Sequence, residues 1–395
     1  MKGLFKKTGR MVYFLAALLL SVGITYGISM ASEKSKGPLI SMFDQLSDFV
    51  YKVEHKIILD RRENQRMYKL KWFAPYRDDK EKLTHPEFIL LGASDASNNK
   101  SYENIINLED SLQTTFALIH IYAAWGSKPE HEFPEEAVNA IYDLGSVPVI
   151  TWEPWVTDFD EKAYKLMPLK ERMNRSMLSV ANGTYDLYIK EWAIKAKKFG
   201  HPIYLRFGHE MNDPYRYPWG PKYSNRPKDY VQAWQHVHDI FTYMKADNII
   251  WTWSPHTAYS HFGEYYPGDK YVDVVSTGVL NYGTVAEWSK WWSFEELFGN
   301  KYEELAQFNK PIMIAEFGSL EDGGDRAKWF GDALHDLPKK YPLVTSLLFF
   351  HHAEDQTVTN KKINWYIKKD AAVTKAIKKE FEELLIFKRN KEGSK

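Results

Sequence analysis

The chain has 395 residues, with 52 basic side chains against 52 acidic ones, so no global field draws it to nucleic acid or to an anionic surface. Cysteine is absent, which excludes disulfides, thiolate nucleophiles and cysteine-ligated zinc together. Aromatic side chains reach 15%, including 14 Trp and 25 Tyr, a surplus that suits stacking on sugar faces.

In chain order, Lys2, Lys6, Lys7 and Arg10 precede a charge-free apolar run from Met11 to Met30. A basic region followed by a membrane-length segment marks residues 1–30 as an export segment. Ser29-Met30-Ala31 offers a small-x-small cleavage pattern, while the run is also long enough to span a bilayer. A signal-anchor would leave the protein in the cell membrane and a cleaved signal peptide would leave it secreted; either places the bulk outside the cytoplasm. Within residues 31–85, Leu39, Phe43, Leu46, Val50, Val53 and Ile57 recur at alternating steps of four and three. That spacing predicts a juxtamembrane amphipathic helix and linker, docking on the domain that follows. Residues 387–395 read as a basic, frayed tail.

Between them, over 86–386, short apolar β-rich runs alternate with helical stretches. The runs are Phe88–Asp95, Thr115–Trp125, Val147–Trp155, Pro202–Asn212, Asn248–His256, Val272–Tyr282, Pro311–Ser319 and Val344–His352. In Tyr185–Phe199 and Asp229–Met244 the apolar positions hold a 3.6-residue period. Continuous apolar strands separated by amphipathic helices mean a parallel sheet covered by helices, and eight such units close into an α/β fold, a single (β/α)8 TIM barrel. Chemistry in that architecture sits at the C-terminal strand ends.

Those ends carry Trp125, then Trp152-Glu153-Pro154-Trp155, His209-Glu210-Met211-Asn212, Trp253 with His256, Asn281-Tyr282, Glu316, and His351-His352. Hydrolysis of a glycosidic bond needs one carboxyl to protonate the leaving oxygen and another to attack the sugar or activate water, with flat rings to hold the sugars. Glu210 and Glu316 fit that need, and a carboxylate separation of about 5 to 5.5 Å would imply retention of configuration. Read as structure only, Arg206, Glu210 and Glu316 also suit a buried ion-pair network with no chemistry.

Ile203-Tyr204-Leu205-Arg206 running into Phe207-Gly208-His209-Glu210-Met211-Asn212, closed by Trp219-Gly220, resembles glycoside hydrolase family 26. The likeness continues through Gly183-Thr184-Tyr185-Asp186 with Trp192-Ala193, Ile250 to Pro255, Tyr265 to Asp269, Tyr271-Val272-Asp273, and Lys310 to Gly318. It covers roughly Phe88 to Phe381, the extent expected for a barrel of this kind. The resemblance implies a retaining endo-acting hydrolase of β-linked polysaccharide, β-1,4-mannan or mixed-linkage β-glucan, needing no cofactor or metal. It makes Glu210 the acid/base and Glu316 the nucleophile, the latter held ionised by Arg206 and the Tyr282 hydroxyl. His209 would orient one of the pair or bind the adjoining sugar. Trp219 would be the sugar platform, with core packing as the alternative reading. Trp125, Trp152 and Trp155 would line the mouth.

The chain departs from the family where mannanases show Trp-His-Pro and this sequence has Trp152-Glu153-Pro154, so mannan specificity is in question and Glu153 becomes a candidate substrate contact. Gly208 and Asp213-Pro214 depart in the same direction. His351-His352 is not expected to bind metal, because neighbours on a strand point to opposite faces. His120, among apolar neighbours, reads as a core histidine. A catalytically silent polysaccharide-binding or assembly protein of the cell surface is the alternative function. The oligomeric state is not written in the sequence.

Overall fold

The computed structural model describes residues 62–96, 101–259, 261–355 and 362–392, together with Val53. The export segment lies outside the described residues, as does the expected amphipathic stripe apart from Val53. No described helix is long and apolar enough to cross a membrane.

Eight strands form a closed parallel barrel in sequence order: β1 (Leu90–Ser94), β2 (Leu118–Ala124), β3 (Val147–Glu153), β4 (Ile203–Phe207), β5 (Ile249–Trp253), β6 (Val274–Asn281), β7 (Ile312–Ser319) and β8 (Val344–Phe350). Closure is made by β1 against β8, with Leu90 opposite Ser346 and Ser94 opposite Phe350. Each expected apolar run contains one strand, trimmed at the ends where Pro, Gly or polar residues begin the connections. The outer layer comprises α1 (Glu103–Leu112), α2 (Glu135–Asp143), α3 (Asp186–Phe199), α4 (Pro227–Tyr243), α5 (Phe294–Ala306), α6 (Arg326–Lys340) and α7 (Ala371–Glu392). Between β5 and β6 the described residues form two 3-10 turns, Phe262–Tyr265 and Asp269–Tyr271, where a regular repeat would carry a helix. The expected tail is helical as far as Glu392 in α7.

Local sequence explains the helix boundaries. α4 opens with Pro227 in its first turn, where a missing N–H costs nothing, and Asp229 accepts from the backbone N–H of Arg226 at 3.0 Å. α5 opens on a reciprocal cap: Ser293 Oγ accepts from the Glu296 N–H at 3.1 Å, and Glu296 accepts from the Ser293 N–H at 2.8 Å. α3 stops at Gly200, whose left-handed φ of 77° suits a residue without a Cβ.

Strand alternation sorts the side chains into two cores. Outward-facing residues such as Ile119, Ile121, Ile150, Trp152, Leu205 and Phe207 pack with the helices in one large buried cluster. A second cluster fills the barrel interior toward the strands' N-terminal ends, with Leu90, Leu118, Val147, Val149, Tyr204, Ile250, Val274, Met313 and Leu348. Leu70, Phe73 and Leu83, from the stretch expected to be linker, belong to this interior cluster and are buried. The segment is pinned by Tyr204, whose hydroxyl donates to the Leu83 carbonyl at 2.7 Å, and by buried Arg66, which pairs with Glu109 and donates to Ser146 Oγ at 2.7 Å. Residues 62–85 thus cap the barrel floor, and the polar end is left at the opposite mouth.

Candidate active site

The inner face of the strands changes character along its length. On β2 it runs Leu118, His120, Tyr122; on β3 Val149, Thr151, Glu153; on β4 Tyr204, then Arg206. The first members sit in the apolar floor. The later ones bond to one another between adjacent strands: His120 Nε2 lies 2.7 Å from Thr151 Oγ1, and Arg206 Nη1 donates to Thr151 Oγ1 at 3.1 Å.

Glu316 enters this layer by a break in strand alternation. Met313 and Ala315 lie in the interior cluster, and the next residue, Glu316, also reaches interior partners. The register of β7 slips here against both neighbours, at Thr277/Gly278 on β6 and between Ile314 and Phe317 toward β8. A bulge turns two successive side chains to one face, and this one aims the carboxylate inward. Glu316 Oε1 accepts from Arg206 Nη1 at 2.7 Å and from the Tyr122 hydroxyl at 3.0 Å. Burial pushes the Glu316 carboxyl up, but the Arg206 charge and the Arg206 hydrogen bond outweigh it and hold the group well below the usual carboxylate range. Arg206 is itself anchored through Nε to Ser254 Oγ at 2.9 Å.

Glu210 stands on a loop rather than a strand. The backbone after β4 turns left-handed at Gly208, φ 52°, and again at Glu210, φ 53°. Such a conformation at a non-glycine residue costs on the order of 1–3 kcal/mol and persists only where the surroundings enforce it. Here the Gly208 N–H donates to the Trp152 carbonyl at 2.9 Å and the Glu210 N–H to the Ser254 carbonyl at 2.7 Å. Asn212 ties the loop to the end of β5, donating to the His256 carbonyl at 2.9 Å and accepting from the His256 N–H at 2.8 Å. Glu210 Oε2 accepts from the Tyr217 hydroxyl at 3.1 Å and from Arg216 Nη1 at 3.4 Å. Oε1 has no hydrogen-bond partner among the described residues; His256 Nε2 is 3.9 Å away.

Glu153 and His209 lie between the two glutamates' surroundings. Glu153 Oε2 accepts from Trp155 Nε1 at 3.1 Å, and its Oε1 faces His209 Nδ1 at 3.9 Å. Burial, with Glu316 and Glu210 adding repulsion against the Trp155 bond and Arg206, pushes the Glu153 carboxyl up to about 7. Burial first, then the Arg206 charge, holds the His209 imidazole well below its ordinary value, so the ring is neutral near pH 7. His209 Nε2 is 3.2 Å from the Tyr217 hydroxyl.

Of the residues expected at the site, Glu210, Glu316, Arg206, His209, Glu153 and Trp155 come together. Trp152 and Trp125 do not. Trp152 alternates with Glu153 and therefore faces the helix layer, where it packs on Trp192 at 4.5 Å; Trp125 joins it there at 4.8 Å, and both are fully buried. Trp219 is also fully buried, so it has no face open to a sugar. It stacks on Tyr217 at 4.5 Å and donates from Nε1 to the His209 carbonyl at 2.7 Å, supporting the loop from behind. Tyr282 makes no hydrogen bond to Glu316 and sits edge-on to Trp365 at 4.9 Å; Tyr122 supplies the donor expected of it. Strand parity from His120 would have found Tyr122. Tyr217, Arg216 and Asn212 lie in an aperiodic loop, where sequence spacing carries no such signal.

His351 and His352 separate as expected, His351 stacking on Tyr366 at 4.2 Å and His352 Nε2 approaching Ser94 Oγ at 3.1 Å. Among the described residues, Glu210, Asp213 and His256 bring ligand-type atoms within 4.8 Å of one another. They make a poor cation site: His256 Nδ1 already accepts from the Ala258 N–H at 3.1 Å, which leaves the proton of the neutral ring on Nε2, and Arg216 stands against Glu210.

The family model for glycosyl hydrolase family 26 matches residues 151–371, from the end of β3 through the start of α7. The chain belongs to glycosyl hydrolase family 26. It is 34% identical to Endoglucanase H of Acetivibrio thermocellus over 63% of this chain and 26% of that protein. It is 27% identical to Mannan endo-1,4-beta-mannosidase A and B of Caldalkalibacillus mannanilyticus over 38% of this chain and 28% of that one. The chain thus spans about a quarter of the length of these relatives. Among solved structures, the mannanase man26 of Bacillus subtilis superposes with a TM-score of 0.53 at 19% identity, covering 75% of this chain and 88% of that one. A GH26 beta-mannanase from Bacteroides ovatus gives 0.53 at 15%, covering 84% and 94%. These two likenesses bear on the fold alone.

Proposed function

We propose that the barrel is a retaining endo-β-glycanase that cleaves β-linked polysaccharide by double displacement. The observation that carries this reading is the unequal holding of two glutamates at one mouth. Glu316 is fixed on a strand and kept ionised by Arg206 and Tyr122, as a nucleophile must be, while Glu210 keeps one oxygen, Oε1, uncommitted. In the first step a Glu316 oxygen bonds to the anomeric carbon, the glycosidic C–O bond breaks, and the Glu210 proton passes to the departing oxygen. In the second, Glu210 takes a proton from water, whose oxygen displaces Glu316 and restores both carboxyls.

Mixed-linkage β-1,3-1,4-glucan stands before β-1,4-mannan as substrate. The relative named as an endoglucanase matches at 34%, against 27% for a mannosidase, and Glu153 occupies the place of the family's imidazole. The basic, then apolar N-terminus supports export, with the barrel held at the outer face of the cell membrane or released. Reducing-sugar release from lichenan, mannan, β-1,3-xylan and cellulose, with viscometry for endo action, tests the reading. Lichenan is expected to be cut fastest, with the anomeric configuration retained. If no polymer and no aryl glycoside is cut, the silent polysaccharide-binding alternative takes its place.

A further inference from the structure

A run of polar groups connects β3 to Glu210. Glu153 Oε1 faces His209 Nδ1 at 3.9 Å, His209 Nε2 lies 3.2 Å from the Tyr217 hydroxyl, and that hydroxyl lies 3.1 Å from Glu210 Oε2. Among the described residues His209 Nδ1 is buried without a hydrogen-bond partner, and Glu153 Oε1 faces it. The 3.9 Å gap exceeds a hydrogen bond, so the relay requires the Glu153 carboxyl to turn toward His209.

We propose that Glu153 is a positioning residue: through the His209 tautomer and the Tyr217 hydroxyl it decides which oxygen of Glu210 carries the acid proton. The inference rests on the reading of Glu210 as the acid/base.

Each member has few ways to arrange its protons. A neutral imidazole has one N–H and one acceptor, and a tyrosine hydroxyl has one proton. When Glu153 is protonated it donates to His209 Nδ1, so the ring proton sits on Nε2 and donates to the Tyr217 oxygen. Tyr217 must then give its own proton to Glu210 Oε2. The Glu210 proton is left on Oε1, the oxygen without a partner, where a leaving group can take it. When Glu153 is ionised the chain reverses. The ring proton moves to Nδ1, Nε2 accepts from Tyr217, and the Tyr217 oxygen accepts from Glu210 Oε2, which turns the acid proton away from the bond to be cleaved.

The surroundings keep the switch at Glu153 rather than at its neighbours. His209 faces Arg206 and Glu316 from β4 and β7, Arg216 from the loop and His120 from β2, and it stays neutral. Glu153 faces Glu316, Arg206, Glu210, Tyr122 and Tyr217, with Trp155 as its hydrogen-bond donor, and burial places its titration at about 7. Glutamine fits the protonated arrangement, because its oxygen can accept from Trp155 Nε1 while its amide N–H donates to His209 Nδ1.

The test uses full-length protein with 15N-labelled histidine. The His209 ring signals, identified by their loss in His209→Asn, are expected to change from the Nε2–H to the Nδ1–H tautomer as pH rises through about 7. In Glu153→Gln they are expected to stay Nε2–H throughout. A wild-type His209 whose tautomer ignores pH between 5 and 9 on that scale would overturn the proposal. Kinetics provide a second arm. From one group titrating near 7, wild-type kcat/KM on a polymer is expected to fall by about tenfold between roughly pH 6 and pH 8, with Glu153→Gln losing that step. Tyr217→Phe should abolish the difference between wild type and Glu153→Gln, and a difference that survives in the Phe background counts against the relay. Absence of all hydrolysis would refute the proposed function instead, and the tautomer measurement would still decide the relay.

Discussion

The two ends of the barrel interior are built from the same strands and the same parity, yet they differ in what they leave unfinished. At the floor, Leu90, Leu118, Val149, Tyr204 and Met313 close on Leu70, Phe73 and Leu83, and the polar tip of Tyr204 is bonded to the Leu83 carbonyl. At the mouth, Arg206 leaves Nη2 buried without a partner, His209 leaves Nδ1 so, and Glu210 adopts a left-handed backbone. On the inner face, protein partners close the apolar floor, while at the mouth backbone strain and unmatched polar groups lie where a ligand can complete them. The contrast can be broken by substitutions that affect one end and not the other.

The largest effect is expected at Glu316. Glu316→Ala removes the proposed nucleophile and leaves Arg206 buried without its counter-charge, a loss of about 3–5 kcal/mol for a broken buried pair. Hydrolysis of lichenan should disappear and the melting temperature should drop together. Glu316→Gln, which keeps an acceptor for Arg206, should be equally inactive yet recover part of the stability. If Glu316→Ala retains hydrolysis, the buried-network reading of Arg206 and Glu316 is right and the catalytic one is wrong.

At the floor the two readouts should separate. Phe73→Ala deletes a fully buried ring and should cost about 3–5 kcal/mol in denaturant unfolding. Activity per folded molecule should be unchanged, because the ring packs at the far end of the barrel from Glu210 and Glu316. A fall in kcat/KM measured well below the melting temperature would mean that floor and mouth are mechanically coupled.

This separation also marks what the sequence could disclose. Eight apolar runs gave eight strands, since burial on both faces leaves a composition signal that survives without context. Glu210 and Glu316 could be singled out as candidates because strand ends of a barrel are few. Parity is legible too: Glu153 facing inward obliges Trp152 to face outward, and His120 facing inward brings Tyr122 with it. The bulge before Glu316 was not legible, because in sequence it is an ordinary strand. Nor was the role of residues 62–85, whose few apolar positions gain meaning only against an open barrel end. The tryptophan count says little about which rings meet sugar, for Trp125, Trp152, Trp192, Trp219, Trp234, Trp253 and Trp365 are fully buried and serve the core.

A smaller effect is expected at Tyr122, which sits one alternation above His120, where the inner face turns from structural to reactive. Its hydroxyl donates to Glu316 Oε1 at 3.0 Å, a bond to a charged group worth about 1.5–3 kcal/mol. Tyr122→Phe should lower kcat/KM by roughly ten- to a hundredfold on that basis. It should also raise the pH at which Glu316 ionises, because a donor that favours the carboxylate has gone. The acid limb of kcat/KM, present above the Glu316 pKa and lost below it, should therefore move toward higher pH.

The smallest effect sets two tryptophans at the ends of neighbouring strands, β2 and β3, against each other. Trp155 is half-buried and donates from Nε1 to Glu153 Oε2, whereas Trp125 packs behind the sheet against Trp152 and Phe207. Trp155→Phe removes one hydrogen bond at the mouth, about 1 kcal/mol. It should change KM for lichenan severalfold while leaving the melting temperature nearly in place. Trp125→Phe leaves a void among fully packed rings and should do the reverse, lowering stability with KM unaltered. Both substitutions delete the same atoms, so a shared outcome would mean that inner and outer faces of the barrel are not the functional divide. Opposite outcomes would assign sugar contact to the inner face alone.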